Sequence, residues 1–184
     1  IKGLVLARSA INSPYKKPLL RCVGTSNQPN ETVTYRIKPI ARAEGIEEAV
    51  IEEPVRVPYI DALGILATSY AVLMIGSDEP HYTASKIYPG MMSGRPFLSI
   101  FHRTSSAHEI LSRAGGGIAL AFEKTDELKA MPLKIAEALV TLATSPESFG
   151  QVDPSSYADY TAHAIACRFA EIFDRLREEQ RSGE

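Results

Sequence analysis

The sequence predicts an α/β fold, a Rossmann-like, doubly wound parallel sheet. Three observations predict it. Apolar runs of strand length recur, segments with apolar positions at three- and four-residue spacing separate them, and polar loops bearing glycine or proline follow the runs. The strand runs are residues 19–23, 49–51, 71–75, 97–101 and 118–122, and the helical segments are residues 32–44, 59–68, 85–93, 105–114 and 124–144. Asp61, Thr83, Ser105 and Thr125 serve as caps or first-turn groups, and Gly45, Gly94 and Gly115 as stops. Residues 1–10 read as a helix leading in. The polar gap 144–156 reads as a linker to a last helix, 157–179, whose Tyr157, Tyr160, Ala164, Phe169, Ile172, Phe173 and Leu176 form a stripe for packing on the domain.

With 184 residues, 45% of them hydrophobic, the chain has the size and composition of one ordinary domain. A formal charge of -2 and the lack of a dense Lys/Arg block give no long-range attraction to nucleic acid or to an anionic membrane. Cys22 and Cys167 lack metal-ligand spacing and read as small buried apolar residues, which suits a reducing, cytoplasmic compartment. No apolar stretch approaches the ~18 residues of a membrane span, and no secretory signal pattern is present. The sequence starts at Ile1, not at methionine, so a fragment or a processed chain is expected.

The richest chemistry lies in residues 76–96, GSDEPHYTASKIYPGMMSGRP, between two apolar runs. A helix beginning near residues 82–85 would point unpaired backbone N–H groups over the strand ends, and Thr83, Ser85 and Lys86 add two hydroxyls and an ammonium suited to a phosphate or diphosphate. Plain capping is the alternative. There is no GxxxxGK[ST], no GxGxxG after the first strand, no GxSxG and no HExxH, so P-loop, dinucleotide, hydrolase-elbow and zincin chemistries are disfavoured. Gly115–Gly117 precedes a strand and reads as a turn. His81, His102 and His108 fall in or after loops at strand carboxyl ends, either as the wall of a polar cleft or as ordinary loop histidines.

Five short motifs occur in order: Arg21-Cys-Val-Gly-Thr25, Pro54-Val-Arg-Val-Pro-Tyr59, Gly76-Ser77-Asp78-Glu79, Ser85-Lys86-Ile87-Tyr88 and Ser93-Gly-Arg-Pro96. Together they resemble the C-terminal, donor-binding half of a GT-B glycosyltransferase of the GT4-like group (glycosyltransferase group 1), over roughly residues 19–122. The resemblance implies a lead-in helix remnant (1–16), a Rossmann-like nucleotide-sugar-binding domain (17–145), and a linker with a C-terminal helix packing on it (146–184). It implies a nucleotide-diphosphate sugar as partner and a missing N-terminal domain of comparable size that holds the acceptor. Any contact with the cytoplasmic membrane face would be made through that domain.

Carried over by position, Gly24, Thr25, Tyr82, Thr83, Ala84, Ser85 and Lys86 would hold the donor diphosphate, with Lys86 as charge partner. Arg56, Val57 and Pro58 would line the nucleobase, and Asp78, Glu79 and His81 the sugar, with His102 or Arg103 approaching from the next loop. The family's glutamate pair flanking this loop is replaced by His81 and Pro89, and Pro89 cannot accept a ribose hydrogen bond. No cofactor or metal is implied, and no catalytic residue is assigned, because acceptor activation belongs to the other half. Donors aimed at the departing diphosphate would stabilise the transition state. The alternatives are a sugar-nucleotide epimerase-like enzyme of similar architecture and a catalytically silent nucleotide-sugar-binding or scaffold module.

Overall fold

A computed structural model describes residues 1–26, 33–80 and 84–182 of the chain. Its elements run α1 (Lys2–Ala10), β1 (Leu20–Val23), α2 (Lys38–Ala43), β2 (Val50–Glu53), α3 (Tyr59–Thr68), β3 (Val72–Ile75), α4 (Ile87–Met92), β4 (Phe97–His102), α5 (Ser106–Ala114), β5 (Gly117–Phe122), α6 (Thr125–Ala130), α7 (Pro132–Thr144) and α8 (Ala162–Ser182). Every strand pairing is parallel, so each pair is joined by a crossover helix, as a Rossmann-like α/β fold requires. Among the described residues the strands form two hydrogen-bonded sheets, β1 with β2 and β3-β4-β5 in that order.

β4 is the axis of the larger sheet. All six of its residues are buried, and the period of two sends Phe97 and Phe101 to one face and Leu98 and Ile100 to the other. Phe97 and Phe101 meet Met74, Ile87, Met91, Ala107 and Leu111, which places α4 and α5 on that face. Leu98 packs on Ala138 and Leu142 of α7, and Ile100 on Phe122 and Met131. The sheet is therefore covered on both faces, and each buried Phe contributes roughly 1.5–3 kcal/mol by leaving water.

The smaller sheet packs Val50 against Leu4, Ala41, Ile46 and Ala49, with Leu139 of α7 reaching the same cluster. Leu139 also belongs to the cluster under Leu98. The pair α1 and α7 thus couples the two sheets through side chains. Gly3 permits their close approach, since a Cβ there would lie 2.5 Å from Ile135 Cγ2.

Several elements differ from the sequence expectation for identifiable reasons. The helical segment 124–144 breaks at Met131, because Pro132 supplies no N–H to the preceding turn and starts α7 instead. α2 begins at Lys38, with Pro39 in its first turn. The gap 144–156 is not an open linker: Asp153 N–H donates to the Ala114 carbonyl at 2.8 Å, and Val152 and Tyr157 pack on the main core. α8 begins at Ala162, where the Thr161 hydroxyl accepts from Ala164 N–H at 3.2 Å. Its stripe residues Phe169, Ile172, Phe173 and Leu176 are exposed. Cys167, expected to be buried, is exposed as well, and Cys22 is half-buried in β1.

Candidate functional site

Parallel strands bring all carboxyl ends within a sheet to one edge, where open α/β folds place ligands. At the end of β1, Gly24 adopts φ +69, a left-handed conformation that glycine enters at no steric cost. Its N–H donates to the Glu53 carbonyl at 2.8 Å, and Ser26 N–H donates to the Pro54 carbonyl at 2.9 Å, so the β1 exit follows the β2 exit. A Cβ on Gly24 would lie 3.8 Å from Arg56 Cα, which brings the expected diphosphate and nucleobase loops together. Arg56 and Pro58 are exposed, and Val57 is half-buried ahead of α3.

Beneath this junction lies Glu52, a carboxylate only 5% exposed. It accepts from the backbone N–H groups of Arg36 (2.8 Å), Ile37 (3.0 Å) and Lys38 (2.8 Å), and from the Thr25 hydroxyl (2.7 Å). Burial pushes its pKa up, but the bonds from Lys38, Arg36, Thr25 and Ile37 together outweigh it and hold the carboxyl below its ordinary value. The Thr25 hydroxyl, expected to face a diphosphate, is thus donated to an internal carboxylate. Burial, then the Glu52 charge, raises the pKa of the Cys22 thiol.

The second convergence lies beyond β3, β4 and β5 and centres on His102, 8% exposed. Its Nε2 donates to the Glu123 carbonyl at 3.0 Å, while Nδ1 accepts from Thr104 N–H at 3.3 Å. The Thr104 hydroxyl donates to the Pro80 carbonyl at 3.2 Å. The imidazole therefore ties the loop after β4 to the loop after β5, and the Thr104 hydroxyl, 3.0 Å from Nδ1, carries the connection on to the loop after β3. Arg103 pairs with Glu123 at 2.8 Å on the surface. His102 and Arg103, expected to approach a sugar, are both engaged with protein partners. Ser105 caps α5 by accepting from His108 N–H at 3.1 Å. Among the described residues His108 Nδ1 is buried without a partner; burial, then the Arg103 charge, lowers the pKa of this ring.

Of the loop from β3 to α4, Asp78 and Glu79 are exposed, and Glu79 N–H turns back to Ser77 Oγ at 3.3 Å. His81, Tyr82 and Thr83 lie outside the described residues. Ala84 is buried and its carbonyl accepts from Ile87 N–H at 3.1 Å, whereas Ser85 and Lys86 are exposed. α4 begins at Ile87, later than residues 82–85, and Lys86 precedes it with no side-chain cap bond. Pro89 is accommodated because the first turn of a helix has no use for its missing N–H.

Sequence reasoning missed Glu52 and Thr104. Glu52 carried a legible signal: it shares the inward parity of Val50 in a strand, so a carboxylate at a core-facing position had to find donors. Thr104 had none, since its partner Pro80 belongs to another loop. An open cavity of ≈ 340 Å³ lies along α2, lined by Tyr35, Lys38, Pro39, Arg42 and Glu47. Its cations are partly engaged, with Lys38 over the Tyr35 ring at 5.3 Å and Arg42 forked onto Glu47 at 2.7 Å. Among the described residues no group of three His, Cys, Asp or Glu could hold a metal ion. Among the described residues no helix is long and apolar enough to cross a membrane. The chain matches no family model, no curated protein and no solved structure.

Proposed function

We propose that the chain is a glycosyltransferase donor-binding domain, the C-terminal half of a GT-B architecture, which binds a nucleotide-diphosphate sugar for transfer to an acceptor held by an N-terminal domain. The observation that carries this reading is the meeting of Gly24 with Arg56 at the carboxyl ends of β1 and β2. There a residue without a side chain lets backbone approach a ligand, and a loop bearing a guanidinium stands beside it. The ordered motifs from Arg21 to Pro96, on parallel strands with crossover helices, support the same reading. In it, Ala84, Ser85 and Lys86 face the diphosphate, with Lys86 neutralising charge as the nucleotide departs. Arg56, Val57 and Pro58 border the base.

A catalytically silent binding module is the second reading. It draws on the Thr25 hydroxyl, which is spent on Glu52 at 2.7 Å. Titration calorimetry with UDP-, GDP- and ADP-sugars separates the two from a domain with no nucleotide site. Heat with one base class, weakened about tenfold by Lys86→Ala (about 1.4 kcal/mol), is the expected result. No heat with any of the three sinks both readings. Heat together with failure of the two-domain protein to transfer sugar selects the silent module.

A further inference from the structure

α8 stands apart from the rest of the molecule: every residue from 166 to 181 is exposed. Its apolar residues nonetheless form one stripe. Phe169 (56% exposed), Ile172 (41%), Phe173 (64%) and Leu176 (51%) continue the line of Ile165 at helical spacing, and the Phe169 and Phe173 rings stack with centroids 6.2 Å apart. The charges around the stripe are sorted. Arg168 and Arg175 precede Phe169 and Leu176 along one edge, Arg177 lies beyond Phe173 on the other, and Glu171, Asp174 and Glu178 occupy the opposite side together with Arg181, while Glu179 borders the stripe at its end.

We propose that α8 lies in the surface of an anionic lipid bilayer, with Phe169, Ile172, Phe173 and Leu176 at the acyl boundary and Arg168, Arg175 and Arg177 on headgroup phosphates. Cations at the border of an apolar face suit this placement, because their aliphatic stems cover apolar surface while the guanidinium reaches back to the interface. Each basic residue near an anionic leaflet adds to the attraction. Glu171, Asp174 and Glu178 stand across a helix about 10 Å thick, on the order of a Debye length, which weakens their repulsion, and of the carboxylates Glu179 alone borders the apolar face. Because α8 carries four arginines and four carboxylates, it is the placement of arginines at the boundary that supplies locally the attraction that a net charge of -2 denies the chain as a whole. A second copy fits less well, since antiparallel pairing of two stripes sets Arg168 and Arg175 of one against the same arginines of the other.

Flotation of the full chain with vesicles of equimolar phosphatidylcholine and phosphatidylglycerol, against pure phosphatidylcholine, tests this, with light scattering in parallel. The expected result is partitioning at least about tenfold stronger to the anionic vesicles, falling at high salt. The pairs Phe169→Ser with Phe173→Ser, and Arg168→Gln with Arg175→Gln, each lower it by about tenfold or more, while Glu171→Gln with Glu178→Gln does not lower it. All positions are exposed, and circular dichroism establishes that each variant keeps its fold. No partitioning, equal partitioning to neutral vesicles, or partitioning indifferent to the first two pairs overturns the proposal. So does a concentration-dependent dimer abolished by Phe169→Ser with Phe173→Ser, which assigns the stripe to a second copy.

Discussion

At the carboxyl end of β2 the chain buries a carboxylate, and at the carboxyl end of β4 it buries an imidazole; the two solve the same problem with opposite chemistry. Glu52 stays charged because three backbone N–H groups and a hydroxyl converge on it, a set that more than offsets its desolvation. His102 uses Nε2 as donor to a backbone carbonyl and Nδ1 as acceptor beside the N–H and the hydroxyl of Thr104, so both ring nitrogens are satisfied. Each fastens loops that no strand pairing holds. The carboxylate organises the start of α2 against β1, and the imidazole, with the Thr104 hydroxyl beside it, links the exits of β4 and β5 to that of β3. Loop position at a sheet edge thus depends on single buried polar groups, and the charged one has more donors to lose.

Glu52→Ala should produce the largest effect. Removing the acceptor leaves the N–H groups of Arg36, Ile37 and Lys38 and the Thr25 hydroxyl without partner, costing about 3 kcal/mol in urea unfolding. The milder Glu52→Gln sharpens the comparison through pH. A carboxyl whose folded pKa is depressed contributes stability that is present above its unfolded value, about 4.3, and is lost as pH falls through the folded value. The gap between wild type and Glu52→Gln should therefore be constant near neutrality and close below about pH 4. A gap that persists in acid means that Glu52 acts by shape alone.

Gly3→Ala tests what couples the two halves. A Cβ 2.5 Å from Ile135 Cγ2 and 3.1 Å from the Pro132 carbonyl forces α1 from α7, with an expected loss of about 2 kcal/mol and divergent unfolding of the two sheets by hydrogen exchange. His102→Leu comes next, at about 1.5 kcal/mol, since the Glu123 carbonyl and Thr104 N–H lose their partner. Its faster exchange should be confined to the loops after β3, β4 and β5, and acceleration around α2 instead would break the division into two locks. Arg103→Gln should change stability by less than about 0.5 kcal/mol, because its partner Glu123 is as exposed as it is.

Much of the fold was legible because apolar periodicity is local. β1, β3, β4, β5, α3 and α5 lie within a residue or so of the segments read from the chain. Pro132 was visible too, yet residues 124–144 read as one helix, because the apolar spacing continues through the break. Of the candidate site, the positions of Gly24 and Arg56 just after strand runs were legible, while their contact comes from the parallel pairing of β1 with β2. The engagement of Thr25 and His102 with protein partners was not visible, since each bond joins residues distant in sequence.

The sequence by itself determined the alternation of strands with helices, the parallel pairing that follows, and the apolar stripe of α8 with its flanking arginines, since these depend on side-chain spacing along one element. Only the tertiary structure decided that the strands divide into two hydrogen-bonded sheets joined through α1 and α7, which buried polar groups close their exits, and that the last stripe stays uncovered. Burial and hydrogen-bond partnership are properties of packed surfaces, and no local pattern encodes which distant backbone group will be there to receive a bond.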